Sequence, residues 1–170
     1  PYRVASYTNG FPRGRDHGGV TVYYPSDRKD PLPGVVMCPG FTALQSSIAA
    51  WGPFFASHGI VLVTMDTVTT MDQVPQRARG LAEALGSLKK ENRRAGSPLN
   101  GLSGWSMGGG GTWIASAADP SLKSAVTLAG HNATAGGAGI ARGSRVPTLM
   151  MNGVDDTSIL GGMGQSSGSY

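Results

Sequence analysis

A pentapeptide with a glycine two places either side of a serine, Gly104-Trp105-Ser106-Met107-Gly108, constrains this chain more than any other segment. When a strand turns into a helix sharply enough to leave a serine at the tip, side chains two positions away on each side collide. Glycine removes that collision. The helix that follows aims its free N-terminal amides at the same spot, which favours developing negative charge. The surroundings agree. Thr112, Trp113, Ile114 and Ala117 continue as a helix of mostly small and apolar residues, and Asp119-Pro120 ends it. Ser106 is therefore a candidate nucleophile; the competing reading is a glycine-rich structural turn.

Strand-like runs lie at 2–8, 20–24, 35–38, 60–64, 125–129 and 148–152. The later ones are continuously apolar and β-branched, as in a parallel sheet covered on both faces. Helical patterns alternate with them. Residues 47–57 carry Ile48, Trp51, Phe54 and Phe55 on one side, and 74–92 place Val74, Ala78, Leu81, Leu85 and Leu88 at three-and-four spacing. This alternation predicts an α/β fold: one domain over 1–170, doubly wound around a mostly parallel sheet. In such sheets function gathers at the carboxyl ends of strands. That selects the loops at 39–43, 66–73, 130–132 and 152–158 besides the serine turn. One element is missing from the pattern. A strand should lead into Gly104, yet Ser97-Pro98-Leu99-Asn100-Gly101 reads as loop and only Leu102 and Ser103 precede the turn.

Charge and cysteine usage narrow the function classes. The net charge is +4, and the densest basic run, Lys89-Lys90-Glu91-Asn92-Arg93-Arg94, falls at the end of a helical pattern, where cations suit the helix dipole. No aromatic interleaving accompanies it, so nucleic-acid binding is not expected. No apolar run reaches membrane-span length, and nothing leader-like precedes the strand-like Tyr2-Arg3-Val4. Cys38, the single cysteine, sits in Val35-Val36-Met37-Cys38 and reads as a buried structural thiol rather than a metal ligand.

A nucleophilic serine needs a base, a group that orients the base, and oxyanion donors. In Asn152-Gly153-Val154-Asp155-Asp156 the paired aspartates follow a strand, where an orienting carboxylate belongs; turn chemistry is the alternative. The chain also resembles the bacterial cutinase and poly(ethylene terephthalate) hydrolase family, within the dienelactone-hydrolase-like α/β-hydrolases. The matching stretches include Gly19-Val20-Thr21-Val22-Tyr23-Tyr24-Pro25, Pro39-Gly40-Phe41-Thr42-Ala43, Gln45-Ser46-Ser47-Ile48, Trp51-Gly52-Pro53, Ala56-Ser57-His58-Gly59, Met65-Asp66-Thr67, Asp72-Gln73, the serine turn with Gly109-Gly110-Gly111, and Pro147-Thr148-Leu149. The resemblance implies an α/β-hydrolase fold and a secreted, monomeric serine esterase acting on polyesters, with no metal or organic cofactor. It implies Ser106 as nucleophile, Asp156 as the triad carboxylate with Asp155 its neighbour, and the Phe41 and Met107 amides as oxyanion hole. It places Phe41, Gln73 and Trp105 along the substrate cleft, and puts His131 where the family usually carries a tryptophan. The short segment 130–147 implies the absence of a lid.

The base is the weak point of the pattern. His17 lies in an early loop, and His58 precedes a strand at its amino end, away from Ser106. His131 stands at the correct edge but before Asp156; it reads as cleft-lining, with surrogate base as the alternative. No histidine follows Asp156, since the chain runs on into Gly161-Gly162-Met163-Gly164-Gln165 and ends at Tyr170. The expectation is an incomplete copy lacking a final strand, a final helix and the base. Two rivals follow: a small-ester esterase or triacylglycerol lipase of the same fold, and a non-catalytic protein that keeps the turn as scaffold.

Overall fold

A computed structural model describes residues 1–8, 11–95, 97, 99–131, 143–153 and 156. Seven strands form one sheet: β1 (Val4–Tyr7), β2 (Val20–Pro25), β3 (Gly34–Cys38), β4 (Val61–Met65), β5 (Asn100–Trp105), β6 (Ser124–Leu128) and β7 (Thr148–Met151). Their order is β1-β2-β4-β3-β5-β6-β7. β2 runs antiparallel to both of its neighbours, β1 and β4, whereas β4, β3, β5, β6 and β7 pair in parallel. The helices are α1 (Trp51–Ser57), preceded by a 3-10 turn (Gln45–Ile48), α2 (Val74–Ala95) and α3 (Met107–Ala118). This is the doubly wound sheet that the alternating pattern predicts, and it is an α/β-hydrolase fold.

Alternation along the strands sorts the core. Val36, Cys38, Val63, Met65 and Leu102 join Ala78, Leu81, Leu85 and Leu88 of α2 and Ala115 of α3 in one cluster. Met37 and Leu62 face the other way, onto Ile48. Successive residues thus point to opposite faces, as the period of two requires. Cys38 is fully buried, and burial pushes its thiol up to about 12, a rise that the neighbouring Arg77 offsets only in part.

One expectation fails here. The strand before the serine is present: Asn100–Trp105 runs six residues and pairs with β3 on one side and β6 on the other. Its residues are small because its neighbours are close. A Cβ on Gly101 would lie 2.6 Å from Ser124 Oγ. Two flanking ladders satisfy its backbone and override a composition that reads as loop. For α1 the structure shows which side is buried, a point that spacing leaves open. Trp51 and Phe54 do not face the core but are 38% and 54% exposed. The buried stripe of this short helix is Gly52 and Ala56, because the Tyr23 ring comes so close that a Cβ on Gly52 would meet it at 2.4 Å. Trp51, Phe54 and Phe55 stack edge to face on one another at 5.8–6.3 Å between centroids.

Two outcomes are expected. Gly86 in α2 is exposed and a Cβ there would meet nothing within 4 Å. Gly86→Ala should therefore stabilise the protein by roughly 0.5–1 kcal/mol, measured by urea unfolding, because only unfolded-chain entropy and helix propensity change. Cys38 should leave a thiol-reactive chromogen untouched at pH 8 in the native protein and react at once on denaturation, since its thiolate is absent well below pH 12.

Candidate active site

β5 delivers Trp105 and Ser106 to the carboxyl edge of the sheet, and α3 starts at the next residue. The turn is tight: Ser106 has φ 54° and ψ −120°. It is locked by three backbone bonds. The Ser106 amide donates to Leu128 O at 2.9 Å, and the Ser106 carbonyl accepts from the Gly110 amide at 3.1 Å and the His131 amide at 2.9 Å. The flanking glycines are steric necessities. A Cβ on Gly104 would lie 2.2 Å from Gly108 O, and one on Gly108 would lie 2.2 Å from Cys38 O. The first turn of α3 therefore rests directly on the backbone at the end of β3.

Among the described residues, three other than glycine take positive φ: Thr42, Ser106 and Ala129. Each follows the carboxyl end of a neighbouring parallel strand, β3, β5 or β6, so strain of about 1–3 kcal/mol per residue is concentrated at one edge. The loop after β3 closes on the serine, with an added Cβ on Gly40 3.2 Å from Ser106 Cβ and 3.0 Å from the Trp105 ring. It is tied down on its far side. The Asp66 carboxylate accepts from the Gln45 amide and from Gln45 Nε2, both at 2.8 Å, and Gln45 Oε1 accepts from Thr64 Oγ1 at 2.9 Å. Asp72 accepts from the Val68 and Thr69 amides and from Thr69 Oγ1, shaping the neighbouring loop.

The structure brings Ser106, Phe41, Met107, Trp105 and His131 together around this edge. Among the described residues, neither the Phe41 nor the Met107 amide is taken by an acceptor of the protein. Two free donors thus flank the serine turn, the Met107 one at the first residue of a helix. Ser106 is half-buried, Met107 is buried, Phe41 is half-buried and Trp105 is 40% exposed. Gln73 is exposed on the loop before α2, its Nε2 donating to Met71 O at 2.9 Å. An apolar cleft of about 320 Å³ opens beside Trp105, lined by Ser47, Ile48, Trp51, Trp105 and Leu128.

The histidines separate clearly. His17 is buried far along the chain from the serine turn, its Nδ1 2.8 Å from Gly18 O and its Nε2 3.9 Å from Glu83. The Glu83 carboxyl is partly desolvated, which raises it, but the Asp16 and Arg15 amides and His17 hold it below its ordinary value. His58 caps α1, with Nδ1 2.7 Å from Phe54 O. His131 is 3% exposed, against α3, and its Nδ1 has no partner among the described residues. Thr127 Oγ1 and Asn152 Oδ1, at the carboxyl ends of β6 and β7, share that condition. Asp156 follows β7, its amide donating to Gly153 O at 3.2 Å. Asp155, most of the 130–147 segment where a lid would be inserted, and 161–170 lie outside the described residues. Among the described residues no cluster of His, Cys, Asp or Glu could hold a metal ion. Sequence reasoning missed Arg77, which is fully buried beside the Pro39 carbonyl; an arginine in an amphipathic helix reads as solvated, and nothing in its spacing says otherwise.

Comparison with known proteins adds an independent line. The family described as PET hydrolase-like matches residues 1–166. A bis(hydroxyethyl) terephthalate hydrolase of Streptomyces coelicolor is 45% identical over 136 residues, 78% of this chain and 44% of that protein. Cutinase 2 of Thermobifida cellulosilytica is 37% identical over 145 residues, 82% of this chain and 53% of that protein. Cutinase est2 of Thermobifida alba is 39% identical over 146 residues, 82% and 47%. The chain thus spans about half the length of the curated relatives it matches.

The packing of α3 on β3 leads to a sharp expectation. Gly108→Ala should cost more than about 3 kcal/mol, because backbone faces backbone and neither can move without opening the sheet. Thermal unfolding of the purified variant checks this.

Proposed function

The chain belongs to the PET hydrolase-like family, and on that premise we propose that the whole protein is a serine carboxylic-ester hydrolase acting on polyesters. The observation that carries this reading is the serine at the strained tip of the β5–α3 turn with two unclaimed amides beside it. Ser106 Oγ attacks the ester carbonyl as its proton passes to a histidine that Asp156 orients. The carbonyl oxygen becomes an oxyanion and takes the Phe41 and Met107 amides, an interaction worth ~3 kcal/mol per donor in the transition state. Expulsion of the alcohol leaves an acyl-enzyme, which water resolves. Neither step requires a metal or organic cofactor.

Phe41, Gln73, Trp105 and His131 line the substrate path in this reading. Trp105 supplies an exposed ring beside an apolar cleft, which suits a chain alternating apolar and ester groups. Polymeric substrates lie outside cells, so the protein is proposed to be secreted, to work as a monomer on its substrate, and to bind neither nucleic acid nor membrane. No helix among the described residues is long and apolar enough to cross a membrane. A second reading, hydrolysis of small soluble esters, draws on the relative named for bis(hydroxyethyl) terephthalate and on a histidine in the place of an aromatic clamp.

In the full-length protein, Ser106→Ala should lower p-nitrophenyl ester turnover by at least ~10⁴-fold, and Asp156→Asn by ~10³-fold or more. Intact turnover in Ser106→Ala would overturn the proposal. Release of soluble acid from polyester film supports the polymer reading; hydrolysis of soluble esters alone supports the second.

A further inference from the structure

Arg77 is the largest completely buried side chain among the described residues, with 0% exposure. It takes part in none of the ion pairs among the described residues. A buried cation without a carboxylate is costly unless its donors are met by well-placed dipoles. Here three backbone carbonyls meet them. Nη1 donates to Pro39 O at 2.9 Å, Nη2 to Thr70 O at 3.1 Å, and Nε to Asp72 O at 2.8 Å.

The identity of those acceptors matters more than their number. Pro39 O lies two residues before Phe41. Thr70 O also accepts the amide of Thr42, at 2.9 Å, one residue after Phe41. The guanidinium therefore grips the chain on both sides of Phe41, once directly and once through a shared carbonyl. Its own backbone is seated against the serine-bearing helix, where a Cβ on Gly111 would lie 3.1 Å from the Arg77 carbonyl carbon. The Pro39 carbonyl that it holds is also the group against which Gly108 packs, 2.5 Å from an added Cβ. One side chain thus links the first turns of α2 and α3 to the loop that carries the Phe41 amide.

Resting on the serine-hydrolase reading above, we propose that Arg77 is a positioning residue for the oxyanion hole, clamping both sides of Phe41 so that its amide points at the oxygen above Ser106. The planar fork suits this task, since three donors in one plane reach carbonyls of two loops at once. Its fixed positive charge in a water-poor interior also favours negative charge developing at that edge.

The test uses full-length protein carrying Arg77→Met and Arg77→Lys, with active sites counted by end-point fluorophosphonate titration. Per titrated site, kcat for p-nitrophenyl butyrate should fall ~10²-fold in Arg77→Met, the lower end of the ~10²–10³-fold that removing one oxyanion donor costs, and ~10-fold in Arg77→Lys, where the donor is misplaced rather than removed, with KM nearly unchanged. Affinity for a trifluoromethyl ketone, whose hemiketal oxygen occupies the same hole, should fall in step with kcat. A residue that merely stabilises the fold would lower the titrated fraction and leave kcat per site and ketone affinity alone; that result overturns the proposal. If Arg77→Met does not fold, Arg77→Lys decides by the same two readings. Ser106→Ala run alongside keeps the two claims apart. Undiminished turnover there defeats the serine mechanism itself, whereas a dead Ser106→Ala beside an unaffected Arg77→Lys defeats only the clamp.

Discussion

A contact between two backbones holds this structure in its working shape: the first turn of α3 rests on the end of β3, with Gly108 against the carbonyls of Cys38 and Pro39. Any side chain at that place would lift the helix from the sheet. Because the helix is seated there, Ser106 is forced to positive φ, its carbonyl turns inward to meet the Gly110 and His131 amides, and its hydroxyl stays at the edge. Strain at one residue is thus paid by close packing of many, which is how a sharp turn persists in a folded protein.

The same seating produces the electrostatics of the edge. A helix that begins at residue 107 leaves its first amides without intrahelical partners, and the loop after β3 brings a second free amide beside them. Neither donor is satisfied by the protein among the described residues, so both stay open to an acceptor, and in the proposed mechanism that acceptor is the oxyanion. The ties that hold that loop in place come from unlike sources: Asp66 through Gln45, and Arg77 through Pro39, Thr70 and Asp72. Preorganisation of this kind is distributed over several elements rather than lodged in the serine turn alone.

Much of this was legible in the chain, and the exceptions have physical reasons. The serine turn announces itself because its steric demands fall within five consecutive residues. The amphipathic face of α2 was readable for the same reason, its apolar positions recurring at helical spacing. β5 was not, since Asn100, Gly101 and Ser103 have no intrinsic preference for a strand and are held by ladders to β3 and β6, partners distant in sequence. Which side of α1 is buried was not legible, because spacing groups its aromatics on one side while the space taken by the Tyr23 ring leaves room only for a residue as small as Gly52 beneath the helix. Arg77 was invisible because its partners are carbonyls of remote loops, which leave no trace in side-chain pattern. The base was not legible either: of the three histidines only His131 adjoins Ser106, and nothing in its spacing distinguishes a cleft wall from a proton acceptor.

The central claim is that Ser106 becomes acylated. Full-length protein mixed with p-nitrophenyl acetate, quenched in acid within the first turnover and digested for peptide mass mapping, tests it most directly. The account predicts a single acetyl group on the peptide containing Gly104-Trp105-Ser106-Met107-Gly108, located on Ser106 and lost when the deacylation phase is allowed to proceed. Turnover with that peptide unmodified throughout, or an acyl group carried on another residue, would contradict it.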